Sequence, residues 1–363
     1  MHPLLNSLSV SVRSRTILST FSDGLPSAFK DRSPVGVEMK LPVIGHASCG
    51  GHVTLLFTVE DDASEAHLQG SRGVGICLDT GCDVAVRGMA GDWGLDIRFE
   101  GHQGNSHLVR EIVEVVAEDL PQIKQKHWTL IIRNRLPPSQ GFGMSAALAI
   151  ATSRAMQRAM GEEYEISLRR SMLHAHVCER RTSSGLGDVL GISAGGVEIR
   201  TSPGSPFSGN GLQSGPGVSR GWSNTMEVIL IWPDREGHHT SEYINDPLWK
   251  KSITQSGDRL LSTLEGKWGE SSWSDLISCA RSFVEESGLL DDSSRMDLLN
   301  MVEDSITKSG EDAVASLCLL GRSIIVTKKD LRSEVDFEVL IDGIRKTGLE
   351  CMKVGVSDAR AHL

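Results

Sequence analysis

The chain lacks an excess of positive charge: 37 Lys and Arg stand against 47 Asp and Glu, a formal net charge of −10. Nucleic acid and anionic membrane surfaces both reward clustered Lys and Arg, so neither is an expected partner. An anionic substrate must then be held by local groups rather than by the overall field. Apolar runs of membrane-spanning length are missing as well. The seven cysteines (Cys49, Cys77, Cys82, Cys178, Cys279, Cys318 and Cys351) are scattered, odd in number and without a CxxC pair. Neither a disulfide framework nor a cysteine zinc site is expected from them, and a reducing cytoplasm is the simplest setting. Internal repeats and low-complexity tracts are also missing.

What is present suits an ordinary globular protein. At 363 residues, 39% hydrophobic and 23% charged, the chain is long enough for sizeable cores and suggests about two domains. Residues 1–37 differ from the rest: Met1 to Ser22 contains no acidic residue, several serines, and Arg13 and Arg15. That composition suits an organelle-targeting peptide. The preferred reading is a disordered tail or a start codon placed too early, with the folded part opening at Met39-Lys40-Leu41-Pro42.

Periodicity predicts strands at His52–Val59, Gly73–Leu78, Asp83–Arg87 and Leu95–Glu100, with a hairpin turn at Asp79-Thr80-Gly81-Cys82. A helix is expected over Ser106–Glu118, then a strand over His127–Leu136 and helices from Ser145 to Met160 and from Ser167 to Arg181. The Gly-, Pro- and Ser-dense stretch Thr201–Ser223 reads as a linker or mobile loop. Met226–Trp232 reads as a strand, followed by helical segments to about Leu320, a strand at Ser323–Lys328, a helix at Val335–Lys346 and a strand at Glu350–Val356. The order suggests two α+β domains, 38–204 and 226–363, joined through 205–225.

The most informative segment is Leu136-Pro137-Pro138-Ser139-Gln140-Gly141-Phe142-Gly143-Met144-Ser145-Ala146-Ala147, a glycine-rich turn between strand and helix. Such a turn aims unpaired backbone N–H groups and the positive end of a helix dipole at one spot, which suits phosphate. The third glycine of GxGxxG is missing, and no Gly-Lys-Ser/Thr follows to make a P-loop. Ser145 falls in the first helical turn, where its hydroxyl can cap the helix or reach a phosphate-bound metal.

Five further positions carry chemistry. Asp188 follows Gly185-Leu186-Gly187 and opens an apolar run; it is a helix cap or a base for a substrate hydroxyl. Glu179 and His176 share a helix face. Glu179 is a solvated carboxylate or a Mg²⁺ ligand, and His176 a donor to substrate. Arg72, within Gly70-Ser71-Arg72-Gly73-Val74-Gly75, and Arg200, at the end of Gly195-Gly196-Val197-Glu198-Ile199-Arg200, are surface arginines or anion clamps.

The string Pro-x-x-x-Gly-Phe-Gly-x-Ser-Ala-Ala at 137–147 resembles the ATP-phosphate loop of the GHMP kinases, the superfamily of galactokinase, homoserine, mevalonate and phosphomevalonate kinases. Five further segments resemble one branch of it, the archaeal pantoate kinases: Gly51-His52-Val53-Thr54, Gly70–Gly75, Ala175-His176-Val177-Cys178-Glu179, Gly185–Val189 and Gly195-Gly196-Val197. The resemblance covers roughly 41–204. It implies a two-domain α+β GHMP fold, with an N-terminal domain like ribosomal protein S5 domain 2 and a ferredoxin-like C-terminal domain. It further implies ATP-dependent phosphorylation of the primary hydroxyl of pantoate, giving 4-phosphopantoate on the route to coenzyme A.

Carried over by position, Pro137, Gly141, Phe142, Gly143, Met144, Ser145 and Ala146 would bind ATP, Ser145 and Glu179 would hold Mg²⁺, and Asp188 would be the base. Ser71, Arg72, His176 and Arg200 would contact pantoate. A GHMP kinase for mevalonate or homoserine, or a catalytically silent binding protein, are the alternatives. A homodimer is compatible with the sequence, which does not fix oligomeric state. The chain departs from the family pattern at Gly50, where Pro is usual, at Met144, where Ser is common, and near Leu320-Gly321, where a glycine-rich third motif is hardly visible.

Overall fold

The computed structural model describes residues 41–234 and 247–360, so the expected extension 1–37 lies outside the described residues. Strand β1 (Val43–Phe57) pairs antiparallel with β2 (Gly73–Ala90), from Val43 opposite Gly88 to Phe57 opposite Gly73. The register slips between Gly50 and His52 and again between Thr54 and Leu56. The hairpin turn expected at 79–82 does not form; β2 runs straight through it. Its neighbours change there instead. Gly73–Ile76 pairs with β5 (Val197–Ser202), and Cys82–Ala90 pairs with β4 (Lys126–Asn134). The Asp79 carboxylate accepts the Gly355 N–H, so a turn-like residue is satisfied within a strand.

The first sheet runs β3 (Gly94–Gly101), β4, β2, β5, β6 (Val218–Trp222), with β1 added on β2. Strand β6 falls within the stretch that composition suggests is a loop, and it pairs with β5. Helix α2 (Met144–Ala159) packs on β1 and β2 of this sheet, and α1 (Ser106–Asp119) and α3 (Tyr164–Thr182) pack against α2 and each other. The Asn105 side chain caps α1 by accepting from the His107 and Leu108 N–H groups. Nearly every residue of α2 is buried, as its Ala-rich composition requires. A Cβ at Gly45 of β1 would lie 2.0 Å from the Ala155 carbonyl, which shows how closely helix and strand approach.

A short α4 (Asp188–Ala194) precedes β5. The second sheet has the order β10 (Glu350–Gly355), β7 (Glu227–Trp232), β9 (Ser323–Lys328), β8 (Ala313–Cys318). Helices α5 (Pro247–Leu264), α6 (Trp273–Glu286), α7 (Ser293–Ser309) and α8 (Phe337–Arg345) complete this part. Strand β8 corrects the expectation of helix up to Leu320. A six-residue apolar run carries too few periods to separate strand from helix.

This is the mixed α+β architecture that was expected, built on two sheets. The described residues cluster as one compact unit, and one continuous set of buried apolar side chains spans both sheets. All seven cysteines are buried free thiols. Among the described residues no helix is long and apolar enough to cross a membrane.

Candidate active site

The glycine-rich turn between β4 and α2 borders a cleft of about 800 Å³. Gly141 and Gly143 sit at φ 81° and 61°. A Cβ on Gly143 would also come within 2.9 Å of the His52 backbone, so β1 packs against the turn where a side chain cannot fit. The His52 N–H donates to the Phe142 carbonyl at 2.9 Å, which pins the turn to β1. From the other side Ser323 Oγ donates to the Gln140 carbonyl, and Leu319 and Leu320 of the β8–β9 connection line the cleft. The wall that sequence left unassigned near Leu320-Gly321 is therefore apolar. Pro137, Gly141, Phe142, Gly143, Met144 and Ser145 line the cleft, whereas Ala146 is fully buried behind it.

Ser145 does not cap α2. Its hydroxyl donates to Glu179 Oε1 at 2.6 Å, joining the first turn of α2 to the last turns of α3. Glu179 is only 2% exposed. Burial, and then the negative charge of Asp188, push its carboxyl well above the usual carboxylate range, against the pull of the Ser145 bond. A hydroxyl and a buried carboxylate are the hard oxygen donors that Mg²⁺ takes, and a divalent cation would supply the positive charge this carboxylate lacks.

Asp188, the first residue of α4, goes the opposite way. Burial would raise its pKa, but a 2.8 Å hydrogen bond from His52 Nδ1, the charge of His52 and Arg200, and a weaker bond from Thr54 hold it below the ordinary value. It keeps about a quarter of its side-chain surface open to the cleft. A carboxylate kept ionised and open can accept a proton. Arg200 is fully buried on β5, yet its Nε and Nη2 have no hydrogen-bond partner among the described residues. A Cβ on Gly187 would meet Ser71 Oγ at 2.2 Å and Arg200 Nη1 at 2.6 Å. The glycine before Asp188 thus lets the hydroxyl and the guanidinium approach its backbone, and all three line the same cleft.

Two expected contacts are not brought there. Arg72 pairs with Glu60 at 2.7 Å and with Asp258 of α5, which occupies its charge away from the cleft. His176 is buried, and its Nε2–H donates to the Gln69 carbonyl at 2.9 Å, two residues before Ser71. Burial drives its pKa down to about 4, so it is neutral and anchors the loop that carries Ser71. Sequence reasoning also missed His52, whose Nε2 lies 3.0 Å from Glu198 Oε1, and Glu198 itself. The available signal was a charge flanked by Val197 and Ile199 inside an apolar strand.

A phosphate-suited turn, a pair of oxygen donors and an ionised carboxylate beside a guanidinium whose Nε and Nη2 lack hydrogen bonds are groups that suit phosphoryl transfer to a small molecule. Residues 107–196 match the family described as GHMP kinases N terminal domain. A solved structure described as MDDEF in complex with MVAPP, AMPPCP and magnesium superposes with a TM-score of 0.63 at 11% identity, covering 88% of this chain and 98% of that one. The chain is 28% identical over 294 residues to a pantoate kinase of Thermococcus kodakarensis, covering 80% of this chain and 90% of that one. To a pantoate kinase of Methanocaldococcus jannaschii it is 24% identical over 284 residues, covering 77% and 92%. A solved structure described as a phosphotransferase related to the CoA biosynthesis pathway superposes with a TM-score of 0.68 at 23% identity, covering 87% of this chain and 97% of that one.

Proposed function

We propose that this protein transfers the γ-phosphoryl group of ATP to the primary hydroxyl of pantoate, giving 4-phosphopantoate for coenzyme A synthesis. The observation that carries the reading is Arg200: a buried guanidinium with two donor nitrogens free of hydrogen bonds, in the same cleft as an ionised Asp188 and the glycine turn. A buried cation with free donors suits a small carboxylate, which it can bind in a two-pronged geometry. The similarity to two pantoate kinases supports the same choice.

Each group then has a task. The backbone N–H groups of 141–145 hold the triphosphate, and Ser145 and Glu179 would hold Mg²⁺, which neutralises phosphate charge when bound. Arg200 and Ser71 hold the pantoate carboxylate, which orients the hydroxyl toward Asp188. Asp188 takes the hydroxyl proton as that oxygen bonds to the γ-phosphorus and the bond to ADP breaks. His176 and Arg72 serve the acceptor at one remove, by holding the Gln69–Arg72 loop. We assign 38–204 as the ATP-binding domain and 226–363 as the C-terminal domain, with 205–225 between them.

The test is ADP release across pantoate, mevalonate and homoserine. A kcat/KM for pantoate at least about tenfold above the others is expected; all three acceptors carry a carboxylate for Arg200, so the preference comes from the fit of the rest of the molecule. Turnover without that preference would overturn the substrate, and no turnover on any would favour a silent binding protein.

A further inference from the structure

Glu198 is a fully buried carboxylate in the middle of β5 to which the reaction above gives no task. Its Oε1 lies 3.0 Å from His52 Nε2 and 3.7 Å from Arg200 Nε. The other ring nitrogen, His52 Nδ1, lies 2.8 Å from Asp188 Oδ1. Both nitrogens of one imidazole therefore face carboxylate oxygens. A neutral ring has one N–H and one lone pair, and would turn that lone pair on one of the two carboxylates; only the imidazolium donates to both. Arg200, Glu198, His52 and Asp188 form a row of alternating charge. Glu198 and Arg200 are two apart on a strand, so their side chains share a face.

We propose that Glu198 is a positioning residue for the acceptor half of the site: it holds His52 as an imidazolium that orients Asp188, and with the same oxygen it sets the guanidinium of Arg200. Base and anion clamp are thereby kept in one frame. The inference rests on the kinase reading for the tasks of Asp188 and Arg200. Its own content is the charge on His52 and the dependence of both neighbours on Glu198.

The surroundings of His52 agree. Burial opposes the charged ring, but the bonds to Asp188 and Glu198 outweigh it and hold the pKa above the ordinary histidine value. On β1 itself Thr54 Oγ1 lies 3.4 Å from Nδ1. At longer range Glu179 on α3 favours the charge when ionised, Arg200 on β5 disfavours it, and Cys77 on β2 feels Glu198. Glu198 also has a part in turnover. When Asp188 takes up the substrate proton it ceases to be a counter-ion, and Glu198 is the anion that keeps His52 paired at that moment. Without it His52 would give up a proton more readily.

Glu198→Gln keeps the shape and removes the charge. In the full chain labelled with ¹⁵N-histidine, with the His52 signals assigned by their loss in His52→Gln, both His52 nitrogens are expected to be protonated at pH 7. In Glu198→Gln the ring should lose a proton at least about one pH unit lower than in wild type. The alkaline limb of kcat should move the same way, and the pantoate KM should rise about fivefold or more while the ATP KM stays within about twofold. A neutral His52 at pH 7 in wild type overturns the proposal, as does a Glu198→Gln enzyme with unmoved alkaline limb and pantoate KM. If Glu198→Gln fails to fold, the wild-type spectrum still decides. That spectrum needs no substrate, so failure of the pantoate assignment is read separately.

Discussion

Two carboxylates border the cleft, and their surroundings drive them apart. Glu179 binds its proton more tightly in the folded than in the unfolded chain. Between the ordinary glutamate pKa and the raised one the folded state holds more protons, so stability falls as pH rises through that window. Glu179→Gln should remove this slope: its urea midpoint should exceed that of wild type at pH 8 and converge with it at pH 5, and Mg²⁺ should stabilise only wild type. Equal slopes in the two proteins would show that Glu179 does not carry the effect. Asp188 has the opposite sign, contributing stability at neutral pH that is lost as the solution is acidified through its lowered pKa. Replacing it as a general base should cost roughly 10²- to 10⁴-fold in kcat. For Asp188→Ala we expect that loss in a steady-state assay, with ATP still bound by calorimetry. Arg200→Ala should raise the pantoate KM by roughly 10- to 100-fold, the worth of a charge-assisted hydrogen bond, and leave the ATP KM unchanged.

At the scale of elements, the β4–α2 turn is held by backbone rather than by side chains. Gly143→Ala would force a Cβ into a left-handed residue 2.9 Å from His52. It should weaken ATP binding by more than about tenfold, measured by titration calorimetry, because the N–H groups lose their common aim. A second joint lies away from the cleft. Ser153 Oγ lies 3.0 Å from His174 Nδ1, and His174 Nε2 lies 2.9 Å from Asp119, tying α2, α3 and α1 together. The order Ser–His–Asp looks like a hydrolase triad, but Ser153 is fully buried and no substrate reaches it. Asp119→Ala should cost on the order of 1 kcal/mol or less, since half of the Asp119 side chain is exposed, and should leave kcat unchanged. The strand–turn–helix unit was legible because Gly141, Gly143 and the Ala run act through local backbone rules. The continuity of β2 was not, because Asp79 and Gly81 are turn residues by type and strand residues by virtue of their neighbours β1 and β10.

At the scale of the whole molecule, one apolar core runs under both sheets. Heating should therefore give a single calorimetric transition that shifts upward with ATP and Mg²⁺, because a ligand that binds only the folded state stabilises all of it. Two separate transitions would show that the parts on either side of 205–225 unfold independently. The net charge of −10 makes Arg200 a local exception to the field, so added salt should weaken pantoate binding only slightly; screening acts on exposed charges more than on a buried guanidinium.

By itself the sequence determined the features that residue type and short spacing dictate. It lacks the charge for a polyanionic partner, it carries a turn suited to phosphate, and its order of strands and helices reads as mixed α+β. Tertiary structure alone decided which charge meets which. It turned Arg72 onto Glu60 and Asp258, set His176 on the Gln69 carbonyl, and left Arg200 buried with two donor nitrogens free of hydrogen bonds beside Asp188 and Ser71. It also set His52 between two carboxylates 136 and 146 residues away. A side chain's charge is local information, but its neutralisation depends on partners that only folding brings within 3 Å.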